Sequence, residues 1–232
     1  MNKFSIVIPI FNELKNIQSL IDEINISLKS KYIYEIIFID DCSTDGSSEL
    51  LKKLYENKKI VLKNHNINLG QSSCIKSGIE ISNFDTIITI DGDGQNDPRD
   101  IHKLVELFFN SKLIKLVGGI RKKRKDNFYK IISSKIANHV RSFVLKDDCL
   151  DTGCSLKVFD KRIFLLFPFF EGIHRFLPAL FKGFGYEITF IDVTHRPRIN
   201  GVSKYGTLDR LFKGIIDIIR VKKIIKKYKE NI

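Results

Sequence analysis

The apolar run Thr86-Ile-Ile-Thr-Ile90 passes without a break into Asp91-Gly-Asp-Gly-Gln-Asn-Asp-Pro98. The run reads as a buried strand. Pro98 suits the first turn of a helix reaching Asn110, where a proline forfeits only an N–H that has no partner. Asp91 and Asp93, with Gly92 between them, therefore stand where a strand ends and a loop begins. Open α/β sheets bind their ligands at that carboxyl edge. Two carboxylates one residue apart, followed by the Gln95 amide, offer hard oxygens suited to Mg²⁺ or Mn²⁺, with substrate phosphates completing the shell. An EF-hand loop would need Gly at its sixth position and Glu at its twelfth, where this chain has Asn96 and His102.

The flanking segments repeat one alternation. Phe4 to Ile10 is a strand, and Asn12 caps a helix whose Leu14, Ile17, Leu20, Ile21, Ile24 and Leu28 follow helical spacing. Glu35 to Asp40 is a second strand, Asp41 to Gly46 a turn, and Ser47 to Tyr55 a helix. Ile60 to Leu62 is a third strand, and a helix runs from Gln71 to Ile81, weakened by Gly78. After the strand ending in Asp91, further strands are expected at Leu116–Gly119, Ser155–Phe159 and Tyr186–Val193. Helices are expected at Phe128–Leu145 and at Gly172–Phe181, the latter interrupted by Pro178. Strands alternating with helices of this length indicate βαβ units, an α/β class and a parallel sheet.

The formal charge of +12 calls for an anionic partner: nucleic acid, a membrane surface or a phosphorylated substrate. The positive charge gathers in Arg121-Lys-Lys-Arg-Lys125 and in the tail, with no nucleic-acid motif and little aromatic interleaving, which argues against nucleic acid. Residues 207–232 read as a basic amphipathic helix. Leu208, Leu211, Phe212, Ile215, Ile218, Ile219 and Ile225 form its apolar stripe, and its second half looks too basic to be buried. Such helices bind anionic membranes, gaining about 1 kcal/mol per cationic side chain near the surface. No apolar run approaches the ~20 residues that span a bilayer. Cys42, Cys74, Cys149 and Cys154 lack C-x-x-C spacing and, without a signal peptide, read as reduced thiols of a cytoplasmic protein.

Taken in order, these motifs resemble the family 2 glycosyltransferases with the GT-A fold. Ser5-Ile-Val-Ile-Pro-Ile-Phe-Asn-Glu13 looks like their opening strand and nucleotide loop, and Phe38-Ile-Asp-Asp-Cys-Ser-Thr-Asp-Gly46 like their base-binding turn. Asn68-Leu-Gly70 and Asp91 to Pro98 resemble the third and metal-binding motifs. The Gln-x-x-Pro ending, the Gly-x-Arg loop at Arg121, the Thr-Gly segment and Arg198…Gly-x-Ser-Lys204 are similar to the dolichol- and polyprenyl-phosphate sugar transferases. The resemblance covers residues 4 to 206 and implies a GT-A, Rossmann-like, mostly parallel sheet. It makes residues 1–206 the catalytic domain. Membrane-attached relatives have hydrophobic C-terminal helices, where this chain offers the basic amphipathic helix of 207–232. That helix reads from its own pattern as a membrane-surface attachment or, for its first half, as a helix docked on the domain's core.

The resemblance also implies roles. Pro9, Phe11, Glu13, Asp40, Asp91 and Gly92 would border the nucleotide sugar, UDP- or GDP-linked. Asp91, Asp93 and Gln95 would hold the Mg²⁺ or Mn²⁺. Arg121, Arg198, Ser203 and Lys204 would bind diphosphate or acceptor phosphate. A bound divalent ion can stabilise the departing nucleoside diphosphate as a Lewis acid, extended by Arg and Lys. A hydroxyl acceptor must lose a proton to a carboxylate, for which Asp151 is the candidate. A lipid monophosphate, with a second pKa of about 6, needs cations instead. The resemblance implies inversion at the anomeric carbon, and with the metal motif, the cationic loops and the basic tail the expectation is a transferase acting on polyprenyl phosphate, peripheral on the cytoplasmic membrane face. The rivals are transfer to a saccharide or glycolipid hydroxyl in cell-envelope polysaccharide synthesis, and a non-catalytic nucleotide-sugar-binding module completed by an integral-membrane partner.

Overall fold

The structure is a computed structural model that describes residues 1–122, 141–198 and 207–230, with side chains from 214 onward in the last segment. Strands β1 (Lys3–Ile10), β2 (Ile33–Asp40), β3 (Val61–Asn64), β4 (Thr86–Thr89), β5 (Ile114–Arg121), β6 (Lys157–Asp160) and β7 (Glu187–Val193) form one sheet in the order β3-β2-β1-β4-β6-β5-β7. All pairings are parallel except those of β6, which runs antiparallel to both β4 and β5.

Both faces of the sheet are covered, which is why its central strands are apolar at nearly every position. On β1, Phe4, Ile6, Ile8 and Ile10 enter one core and Val7 the other, following the two-residue period of a strand. Helices α1 (Leu14–Leu28), α2 (Ser47–Glu56) and α4 (Ile101–Asn110) fill the first face. Helices α3 (Gln71–Ile81), α5 (Lys161–Phe164), α6 (Leu177–Gly183) and α7 (Thr207–Glu230) contribute to the second. Gly78 lets α3 lie directly on β1, since a Cβ there would stand 2.4 Å from Val7 Cγ1. A helical weak spot in the sequence is thus a packing requirement.

Four local expectations are corrected. Asn12 does not cap α1; it adopts φ 55° and its Oδ1 accepts from the Thr44 amide at 2.7 Å. The amides of Glu13 and Leu14 donate instead to Ser47 Oγ and Asp45 Oδ2, so the turn after β2 supplies the cap across more than thirty residues. The strand before the acidic loop stops at Thr89, although the Ile90 amide still donates to the Val7 carbonyl at 3.3 Å. Pro178 sits in the first turn of α6, after a 3₁₀ turn at Ile173–Arg175, and so helps to start that helix rather than interrupt it. Residues 141–145 are helical, and the remainder of the helix expected from Phe128 lies outside the described residues.

The fourth correction concerns the basic tail. Val221 is fully buried, Ile225 packs on Gly183, and the Tyr228 ring stacks on Phe184 at 3.7 Å between centroids. Asp217, also buried, pairs with Arg175 at 3.5 Å and Arg220 at 3.2 Å. The second half of α7 is therefore docked, because its lysines point away from the stripe 217, 221, 225 and 228. Ile215, Ile216 and Ile219 remain exposed. Among the described residues no helix is long and apolar enough to cross a membrane, and all four cysteines are free. Val221→Asp should destabilise the fold by roughly 3–5 kcal/mol, the cost of an unpaired buried charge. Ile219→Asp should change stability by less than about 0.5 kcal/mol. Urea denaturation distinguishes them, and equal losses would mean the faces of α7 are assigned wrongly.

Candidate active site

The parallel strands deliver their carboxyl ends to one edge of the sheet. Glu13 follows β1, Asp40 ends β2, Asp91 and Asp93 follow β4, Arg121 ends β5 and His195 to Arg198 follow β7. Because β6 is antiparallel, its beginning lies at that same edge, and so do Asp151 to Ser155 before it. Pro9 is tolerated within β1 for a local reason. The Val7 carbonyl accepts from β4's side, and the β1–β4 register ends at Val7 with Thr89. Two residues on, Pro9 faces that side, where no ladder partner needs its missing N–H.

Gly92 packs against the end of β1: a Cβ there would lie 2.3 Å from Ile10 Cδ1 and 3.2 Å from the Pro9 carbonyl oxygen. Only glycine fits, and it brings both flanking carboxylates to the strand end. Asp91 Oδ1 accepts from Gln71 Nε2 at 2.7 Å, and its amide donates to Ser155 Oγ at 3.1 Å. Ser155 in turn donates to Asn96 Oδ1 at 2.8 Å. Burial, and then the neighbouring Asp93 charge, push the Asp91 carboxyl up to about 6. Asp93 Oδ1 accepts from the Gln95 amide at 3.1 Å, and its Oδ2 from Arg198 Nη2 at 2.9 Å.

The segment after β7 is laced onto this loop. Asn96 and His195 form an antiparallel bridge, the Arg196 amide donates to the Gln95 carbonyl at 2.8 Å, and the Thr194 amide donates to Asp100 Oδ2 at 2.6 Å. Arg196 spans Asp97 at 2.9 Å and Glu23 at 2.6 Å. Burial would raise Asp97, but Arg99 and Arg196 outweigh it and hold the carboxyl at about 2. Gln95 turns its side-chain amide to the Arg196 carbonyl at 3.3 Å.

Other expected residues meet partners of their own. Arg121 forms a two-pronged pair with Asp151, Nε to Oδ2 and Nη2 to Oδ1, both at 2.7 Å. Asp40 accepts from the Ser43 amide at 3.3 Å and from Ser48 Oγ, bracing the turn that resembles a base-binding motif. Phe11 is half-buried beside it. Ser203, Lys204 and Lys123 to Lys125 lie outside the described residues.

Gln71, Ser155, Asn96 and Arg196 were not singled out from the sequence, since their partners lie 20 to 173 residues away. Asp41 was also missed. It accepts from His65 Nδ1 at 2.8 Å and from the Leu69 and Gly70 amides at 2.9 and 2.8 Å. Burial would raise this carboxyl, but those hydrogen bonds hold it below its ordinary value. Asp41, His65 and Cys74 bring their ligand atoms within 4.8 Å of one another. Burial keeps the Cys74 thiol neutral, and the carboxylate is already engaged, so the cluster serves to fix the Asn68-Leu69-Gly70 loop. The Asp91–Asp93 pair also has hydrogen-bond partners, but it differs in chemistry: two carboxylates and no thiol, whose hard oxygens and mutually repelling charges form a donor set that fits Mg²⁺ or Mn²⁺.

Comparison with known proteins agrees with this layout. The model of Glycosyl transferase family 2 matches residues 5–167. The dodecaprenyl-phosphate galacturonate synthase of Rhizobium johnstonii is 35% identical over 225 residues, covering 94% of this chain and 66% of that protein. The undecaprenyl-phosphate 4-deoxy-4-formamido-L-arabinose transferase of Aeromonas hydrophila is 32% identical over 207 residues, covering 88% and 63%. The chain thus spans just under two thirds of the length of these relatives. Among solved structures, the glucosyl-3-phosphoglycerate synthase of Mycobacterium tuberculosis, with Mn²⁺, UDP and glucosyl-3-phosphoglycerate, matches with TM-score 0.70 at 17% identity over 95% of this chain and 78% of that one. The mannosyl-3-phosphoglycerate synthase of Rubrobacter xylanophilus matches with TM-score 0.70 at 12% identity, covering 100% and 76%. These share the fold.

The raised Asp91 carboxyl sets a pH dependence. Its folded pKa of about 6 exceeds the ordinary 3.8, so below 3.8 both states are protonated and nothing is lost. As pH rises from 3.8 to about 6, the unfolded chain ionises this carboxyl while burial and Asp93 keep the folded one protonated, so stability falls, and the loss is complete once pH has passed the folded pKa. Without divalent metal, Asp91→Asn should therefore raise stability at about pH 8 by on the order of 2 kcal/mol, a gain that fades towards about pH 4. Thermal melts across that range check it; a gain independent of pH would mean the effect is not electrostatic.

Proposed function

The chain belongs to Glycosyl transferase family 2, and from that premise we propose that it is an inverting, metal-dependent transferase moving a sugar from a UDP- or GDP-sugar to a polyprenyl phosphate. The observation that carries the acceptor assignment is the Arg121–Asp151 pair. A hydroxyl acceptor needs a carboxylate base, and both oxygens of the candidate base are engaged by a guanidinium. A phosphate acceptor needs oriented cations, and Asp151 orients one. The relatives named for dodecaprenyl and undecaprenyl phosphate support the same choice.

In this reading Asp91 and Asp93 hold the divalent ion on the donor diphosphate, with Gln95 beside them. Once bound, that ion supplies Lewis-acid stabilisation of the departing diphosphate. Glu13, Pro9, Phe11, Asp40 and Gly92 shape the nucleotide end. Arg121 and Arg198, with Ser203 and Lys204, position the acceptor phosphate. One of its oxygens attacks the anomeric carbon from the face opposite the diphosphate; the new C–O bond forms as the old one breaks, inverting the centre.

We further propose that residues 1–206 form the catalytic part and that 207–232 contact the cytoplasmic face of an anionic membrane. The exposed Ile215, Ile216 and Ile219, flanked by exposed Lys222, Lys223 and Lys226, support that contact. Truncating the helix would strip Val221 from the core, so point changes are the cleaner test. Replacing the three isoleucines with serine should abolish most co-sedimentation with anionic liposomes while leaving the melting temperature unchanged; undiminished sedimentation would refute the contact.

Nucleoside diphosphate release, measured with a panel of UDP- and GDP-sugars and Mn²⁺, should depend on a short polyprenyl phosphate. Asp93→Asn should lower it by at least about a hundredfold. Release only with saccharide acceptors would move the assignment to a hydroxyl acceptor, and none at all with nucleotide still bound would indicate a non-catalytic module.

A further inference from the structure

Arg198 occupies a position that its own hydrogen bonding does not fully explain. Its Nη2 donates to Asp93 Oδ2 at 2.9 Å and lies 3.3 Å from Glu13 Oε1, so a single cationic nitrogen serves two carboxylates from different strand ends. Glu13 is held in place behind it, its Oε2 accepting from Asn16 Nδ2 at 2.7 Å. Among the described residues, the Nε of the same guanidinium is buried without a hydrogen-bond partner. An arginine placed to bind a carboxylate at its best uses two parallel donors, as Arg121 does with Asp151. Arg198 instead brings one nitrogen to the gap between Asp93 and Glu13, and among the described residues its Nε bonds to neither carboxylate. Only about a quarter of its side chain is exposed. The backbone that carries it is fixed by the bonds joining Thr194 to Asp100 and Arg196 to Gln95, so the contact follows from built-in geometry rather than a wandering surface chain.

We infer that Arg198 is the resident counter-ion of Asp93 and that a divalent cation must displace it to bind there. The inference rests on reading Asp91 and Asp93 as the metal carboxylates, and adds that metal binding is an exchange of one cation for another. Two cations cannot share the Asp93 oxygen facing Glu13, because their repulsion in a half-buried site is screened only weakly. The apparent metal affinity is therefore reduced by the fraction of molecules in which Arg198 holds the site. The exchange also releases a guanidinium, with its buried Nε, at the moment a phosphorylated ligand arrives. Metal loading and the availability of Arg198 for an anion are then a single event.

The test is Mn²⁺ titration of the full chain without nucleotide, by calorimetry or by the electron paramagnetic resonance of free Mn²⁺. Folding of each variant is checked by its melting curve. Arg198→Met should bind Mn²⁺ roughly tenfold more tightly than wild type, Arg198→Lys should fall between them, and Asp93→Asn should lose binding. Equal or weaker affinity in Arg198→Met, with binding still lost in Asp93→Asn, would overturn the exchange and leave the metal pair standing. If neither wild type nor Arg198→Met binds Mn²⁺ even with UDP or GDP present, the metal reading falls, and the exchange with it. Should Arg198→Met fail to fold, Arg198→Lys carries the test alone: affinity no tighter than wild type would overturn the inference.

Discussion

Two carboxylates separated by one glycine at the end of a buried strand repel each other where water cannot screen them well. Much of the surrounding architecture answers that repulsion. Gln71, at the start of α3, donates to Asp91, and Ser155 holds the Asp91 amide. Lys157, buried on β6 with its ammonium on the Cys154 carbonyl, and Arg121 both lower the cost of the Asp91 charge. Arg198 closes on Asp93 from the far side. These residues come from four separate stretches of the chain. The compensation is incomplete, since burial and Asp93 still push the Asp91 carboxyl up to about 6. A site that is electrostatically unfinished without a further cation is one suited to taking up a metal with its anionic ligand.

The antiparallel strand makes this assembly possible. In a wholly parallel sheet, the residues preceding β6 would emerge at the opposite edge. Reversing that strand puts Asp151, Ser155 and Lys157 beside the ends of β4 and β5, whose own registers place Thr89 and Gly118 opposite Lys157. Because β6 is the immediate neighbour of β5, Arg121 at the end of β5 pairs with Asp151 in the segment that leads into β6. The continuation of β7 completes the ring by lacing onto the acidic loop through the Asn96–His195 bridge.

Legibility in the sequence followed the range of the interaction. The strand–helix alternation and the place of Asp91 and Asp93 at a strand end were readable, because burial period and turn chemistry are local. The reversed direction of β6 was not, since the side-chain alternation of a four-residue strand such as Lys157-Val-Phe-Asp160 carries no sign of its direction. Asn12 misled for a related reason: a local cap was plausible, but a turn more than thirty residues away bonds the helix amides better. Ser155 and Gln71 carry no signature of their own; each is an ordinary polar residue until the fold sets it against Asp91. Gly78 and Gly92 were visible as glycines, while the contacts that require them belong to Val7 and Ile10.

The C-terminal helix shows how charge counting can mislead where geometry decides. Eight cationic residues along residues 207–229 suggested a helix unable to bury its second half. Helical spacing places Asp217, Val221, Ile225 and Tyr228 on one side, and the lysines between them fall elsewhere. The same rotation leaves Ile215, Ile216 and Ile219 on a different face, with solvent rather than protein against them. A helix docked by one apolar stripe and presenting another holds its outward face at a set angle to the sheet. Anything that covers those isoleucines therefore meets the domain in a defined orientation, because Val221, Tyr228 and the Arg175–Asp217 pair restrain the helix from rolling. For a transferase whose acceptor is anchored in a bilayer, that restraint would turn a surface contact into an aim.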